Sequence, residues 1–147
     1  MPSDVVSYTT CVIASAKLLP GLKRKVLSLK QQQQHKFALG AQGEKRALVY
    51  LQKIKISYLA KNVSVKKHEV DILGYDEIAH ELVFIEVKTR HSATHGHPSK
   101  AVNYLKLRSM RYVANAVCES LKYTGDYRFD ILSVLPGKIE HYANVTW

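Results

Sequence analysis

Asp71 and the triplet Glu86-Val87-Lys88, with fourteen residues between Asp71 and Glu86, are the side chains best spaced to do chemistry together. Residues two apart in a strand project to one face, so Glu86 and Lys88 emerge together while Ile85 and Val87 turn to the core. If Val70–Tyr75 pairs antiparallel with Leu82–Thr89, Asp71 comes to lie beside Glu86. Two carboxylates at one spot repel unless a cation or a proton joins them. An all-oxygen pair of that kind suits Mg²⁺ or Mn²⁺. A lysine two residues on supplies a charge that can hold a water nucleophile or stabilise a pentacovalent phosphate. Spacing alone is matched equally well by two solvated strand carboxylates with an ion-paired lysine.

The elements that must position these residues follow from the pattern. Ala41–Lys53 sets Ala47, Leu48, Leu51 and Ile54 at helical spacing, and Ser57–Lys67 reads as a weakly alternating strand. Val70–Tyr75 is a second strand and Asp76–Glu81 a polar turn. Leu82–Thr89 is the strongest strand in the chain, almost continuously apolar and rich in β-branched residues. A loop, Arg90–Pro98, leads to a long helix from Ser99 to about Lys122. Tyr127–Leu135 and Ile139–Thr146 read as two more strands about the Pro136-Gly137 turn. The order α-β-β-β-α-β-β predicts an α/β fold: a mixed sheet flanked by helices, with a helical crossover between parallel strands.

Length and charge bound the rest. The 147 residues make one ordinary domain, and 46% hydrophobic content is globular. Lys and Arg total 22 against 12 Asp and Glu, a net charge of +10, which favours polyanionic partners, nucleic acid first. Two isolated cysteines, Cys11 and Cys118, build neither a disulfide framework nor a Cys-rich zinc site, so a reducing compartment is the default. No apolar run reaches membrane-span length, and no basic residue precedes Cys11–Leu19, so the reading is cytoplasmic with no membrane partner. Residues 1–39 hold six Lys or Arg and one acid, Asp4, and read as a basic, flexible extension ahead of a compact domain over 40–147.

The motifs in context add specificity. The chain reads Gly40-Ala41-Gln42-Gly43-Glu44 at the first helix, Ala60-Lys61-Asn62 in the next strand, then Glu69-Val70-Asp71-Ile72-Leu73. Phe84-Ile85-Glu86-Val87-Lys88-Thr89-Arg90 follows, with Gly96-His97-Pro98-Ser99-Lys100, Lys106 and Arg128-Phe129-Asp130 beyond it. This combination resembles the YraN family of uncharacterised, predicted endonucleases in the PD-(D/E)XK superfamily, over roughly Gly40–Trp147. The resemblance implies a restriction-endonuclease-like core, similar to Holliday-junction resolvases, in a nuclease-like domain over 40–147. It implies a metal-dependent endonuclease on DNA, with branched or structured DNA among its substrates. Asp71 and Glu86 would be metal-binding carboxylates, Lys88 the catalytic lysine, and Glu44 a further acidic ligand or supporting residue. Lys106 would touch phosphate. The chain departs from the family pattern at His68, where glycine is usual, at Lys55-Ile56, where Gly-Tyr is usual, and in the basic extension.

The remaining features divide between bland and functional readings. Arg90 after the motif could contact phosphate or simply end a strand. Lys106, Arg108 and Arg111 would make a basic helix stripe for a nucleic-acid backbone, or a solvated face. His91, His95 and His97 crowd one loop, more often solvated than zinc-binding. Asp130 reads as a structural hydrogen-bonding group, Tyr104 and Tyr112 as packing, and Glu69 as pointing away from Asp71. A homodimer would suit a duplex or four-way junction. The rival reading is a non-catalytic nucleic-acid-binding module, or an adaptor for other DNA-processing proteins.

Overall fold

The computed structural model describes residues 6–10, 37–90 and 104–145. The elements are β1 (Val6–Thr10), α1 (Phe37–Lys53), β2 (Ile56–Val65), β3 (His68–Asp76), β4 (Glu81–Thr89), α2 (Tyr104–Leu121), β5 (Tyr127–Leu135) and β6 (Lys138–Tyr142). The strands form one six-stranded sheet in sequence order. All neighbours pair antiparallel except β4 and β5, which are parallel and joined through α2. From α1 onward this is the expected order α-β-β-β-α-β-β, in an α/β fold.

β4 shows why the site lies where it does. Central between β3 and β5, it is covered on both faces, and Leu82 to Glu86 are all buried, as its nearly unbroken apolar run requires. Its side chains alternate between two cores. Leu82 and Phe84 join Leu73, Phe129 and the α2 residues Met110, Val113, Ala114 and Val117. Val83 and Ile85 join Ile72, Leu132, Val134 and the α1 residues Ala47 and Leu51. The helices therefore cover opposite faces, and Glu86, next after Phe84 in the alternation, emerges on the α2 side.

Each turn has a local cause. Lys55, with φ 64°, takes the left-handed conformation that stops α1. The Asp76 carboxylate accepts the Ile78 and Ala79 amides at 2.8 and 2.9 Å and so folds the β3–β4 turn. Gly43 lets α1 pass close over the end of β4: a side-chain carbon there would run into Thr89.

Two sequence boundaries shift. Val6–Thr10, which falls in the predicted extension, forms β1 and pairs with β2 from Val6↔Val65 to Thr10↔Lys61. Its Val-Ser-Tyr-Thr-Thr run has high strand propensity, and β2 would otherwise be an edge. The last strand ends at Tyr142, short of the expected Thr146. The histidine loop, Cys11 and the expected start of the second helix at Ser99 lie outside the described residues.

Candidate active site

Asp71 sits where two ladders loosen. The β3–β4 register runs from Asp76↔Glu81 to Ile72↔Ile85, which brings Asp71 level with Glu86. On its other side Asp71 is level with Asn62, between the pairs Lys61↔Ile72 and Val63↔Val70. Asn62 has φ 49°, a left-handed conformation that asparagine tolerates better than most residues. Past Ile72 the Asp71 carboxylate itself takes a β4 donor: its Oδ2 accepts the Val87 amide at 2.7 Å.

Glu86 is 3% exposed, and each of its oxygens faces a lysine. Lys88 donates to Oε1 at 2.5 Å. The Lys106 ammonium, reaching from α2, lies 2.6 Å from Oε2, although that oxygen accepts no well-directed hydrogen bond. The same ammonium donates to the Glu69 carbonyl on β3 at 3.2 Å. Two carboxyl groups and two ammonium groups thus form a quartet across β3, β4 and α2. Burial pushes the Asp71 pKa up and the Glu86 charge adds to it; the Val87 amide, Lys106 and Lys88 pull back, leaving it at about 7.

The expected residues therefore divide. Asp71, Glu86, Lys88 and Lys106 come together. Glu44 does not join them: it faces Lys61 on β2 at 3.8 Å, and no group of three or more His, Cys, Asp or Glu suited to a metal occurs among the described residues. The basic stripe divides as well. Residues two positions apart on a helix are about 200° apart around its axis, so Lys106 turns to Glu86 while Arg108 is exposed, with Arg111 also at the surface. Arg90 holds the end of β4 by donating its amide to the Val134 carbonyl at 2.9 Å.

The Glu69 side chain, expected to point away from Asp71, is exposed at the rim of β3, but its backbone carbonyl meets the site by accepting from Lys106. Asn62, a motif residue with no expected role, signals this position by its type, since asparagine enters the left-handed region more readily than most residues. His68 is tied to α2. Its Nδ1 lies 2.9 Å from Ser109 Oγ, and its ring packs on Tyr112 at 4.7 Å between centroids.

The donor set fits a small, hard divalent cation. Asp71 and Glu86 are oxygen ligands on adjacent strands, and the Lys106 ammonium already stands as a cation between Glu86 and the Glu69 carbonyl. Mg²⁺ is commonly held by only one or two carboxylates, with water and substrate phosphate completing its shell. A second polar cluster, at the far end of β5, is structural. Arg128 is bonded to Asp76, Glu81 and Asp130, and His141 Nε2 lies 2.8 Å from Asp130.

A mixed sheet between two helices, with paired carboxylates and lysines where its central strands part, defines an α/β domain with an acid-and-lysine site. The chain belongs to the uncharacterised protein family UPF0102, whose profile matches residues 43–134. The UPF0102 protein of Caldicellulosiruptor saccharolyticus is 37% identical over 101 residues, 68% of this chain and 84% of its own length. That of Thermodesulfovibrio yellowstonii is 37% identical over 106 residues, 72% of this chain and 93% of its own. Among solved structures, a repair endonuclease from Pyrococcus abyssi is similar over 74% of this chain and 41% of its own, at 13% identity and a TM-score of 0.39. Among the described residues, no helix is long and apolar enough to cross a membrane.

Proposed function

We propose that this protein is a metal-dependent endonuclease that hydrolyses DNA phosphodiester bonds, with branched or structured DNA as its substrate class. The observation that carries this reading is the quartet: Asp71 and Glu86 on adjacent strands, with Lys88 bonded to Glu86 at 2.5 Å and Lys106 2.6 Å from its other oxygen. Mg²⁺ or Mn²⁺ bound by the two carboxylates would polarise a phosphate and acidify a bound water. Asp71, with a pKa of about 7, binds a cation after giving up its proton. Lys88, its side chain 37% exposed, reaches solvent and can place its charge against a nucleophile or the phosphate. Lys106 and the wider basic surface would hold the flanking backbone.

A non-catalytic nucleic-acid-binding module is the second reading. It is favoured by one observation, that both Glu86 oxygens already face lysines. Cleavage assays on single-stranded, duplex, flap and four-way-junction DNA, with Mg²⁺, Mn²⁺ or EDTA, separate the two. The nuclease is expected to cut only with metal, and Asp71→Ala and Glu86→Ala to lose at least about 100-fold in rate while still binding DNA. Binding without cutting under every metal would leave the module; unchanged cutting by both variants would end the site assignment.

A further inference from the structure

Lys106 and a divalent cation held by Asp71 and Glu86 would both call on the Glu86 carboxylate. The Lys106 ammonium spans from Glu86 Oε2 on β4 to the Glu69 carbonyl on β3, and a metal bridging Asp71 and Glu86 would join the same two strands. The other lysine is placed differently. Lys88 belongs to β4, two residues from Glu86, and bonds the opposite oxygen, Oε1, so its contact stays within one strand. Two ammonium groups already stand at the Glu86 carboxylate, and a divalent ion added there would meet their repulsion.

We infer that Lys106 is a tethered cation that competes with the metal for Glu86, and that metal loading expels its ammonium toward the substrate phosphate. This rests on the nuclease reading and adds to it a lysine that either occupies the metal's ligand or serves the substrate. Its anchoring suits the exchange. The side chain is 27% exposed, its contact with Oε2 lacks a well-directed hydrogen bond, and a long lysine stem swings without backbone movement. Metal affinity is then scaled down to the fraction of molecules in which Lys106 is off Glu86.

The test is calorimetric titration of the full chain with Mn²⁺, comparing wild type with Lys106→Met, Lys106→Arg and, as a control away from the site, Lys122→Met. Lysine acylation of the wild type, mapped by mass spectrometry with Mn²⁺ or EDTA, runs beside it and needs no variant. Competition predicts Mn²⁺ binding about tenfold tighter in Lys106→Met, near wild-type binding in Lys106→Arg and Lys122→Met, and faster acylation of Lys106 when Mn²⁺ is present. Lys106→Met should also bind four-way-junction DNA more weakly, the opposite sign to its effect on metal. Equal Mn²⁺ affinity in wild type and Lys106→Met would overturn the inference and leave the metal site standing. Tighter binding with Lys106 acylation unmoved would overturn it too, by showing only a charge effect. No Mn²⁺ binding by either protein would overturn both the inference and the nuclease reading.

Discussion

Asp71 carries the cost of the site. A carboxylate placed against a second carboxylate, away from water, holds its proton up to a pH of about 7, whereas the ordinary aspartate value is 3.8. Between those two values the native state binds a proton that the unfolded chain has released, so stability falls as pH rises across that interval and levels off above it. Asparagine mimics the protonated side chain and escapes that loss. Asp71→Asn is therefore expected to be more stable than wild type by about 2–4 kcal/mol at pH 8 in EDTA. The gain should shrink steadily toward pH 4, as urea titrations at several pH values would show. A gain of equal size at every pH would mean that Asp71 is ionised throughout and that burial does not govern it. The placement of Asp71 beside Glu86 is legible in the sequence, through strand alternation and a turn of the right length. Its protonation is not, because that depends on how deeply α2 covers the two strands.

At the scale of elements, the sheet is tied together at the end away from the quartet by one arginine. Arg128 on β5 reaches Asp76 at the end of β3, Glu81 at the start of β4, and Asp130 on its own strand. Asp130 is fully buried. Burial alone would raise its pKa, but hydrogen bonds from His141, Arg128 and the Asn144 amide outweigh this and hold it below the usual range. It thereby links β6 and the chain beyond it to the middle of the sheet. Removing one member of such a buried network leaves the others unpaired. Asp130→Ala should cost about 3–5 kcal/mol in urea unfolding, and a loss under about 1 kcal/mol would mean that water replaces the carboxylate. β4 and β5 are legible because a strand covered on both faces must be apolar along its length, and α1 because its buried residues recur at helical spacing. β1 is not, since five residues of strand propensity in a basic segment have no partner until β2 is folded. The split of Lys106 from Arg108 and Arg111 was available from helix geometry, which sets residues two apart on opposite sides.

For the whole molecule, the net charge of +10 matters more to association than to fold. The six Lys and Arg of residues 1–39 stand against one acid, and on the described domain Lys45, Lys53 and Lys138 edge an open groove between α1 and the β5–β6 turn. If these charges meet a phosphate backbone, binding releases counterions, and the logarithm of affinity falls linearly with the logarithm of salt concentration, by about 0.9 for each duplex phosphate neutralised. Deleting residues 1–39 is a poor test of the extension, because it would also strip β1 from the edge of β2. Replacing Lys23, Arg24 and Lys25 with glutamine leaves that strand in place and removes three adjacent charges. In an Asp71→Ala background, where DNA is expected to be held but not cut, the salt slope should become shallower by up to about 2.7 if all three sit on phosphates. A slope unchanged by the triple replacement, with weaker binding only when Lys45, Lys53 and Lys138 are neutralised, would place the DNA on the folded domain alone.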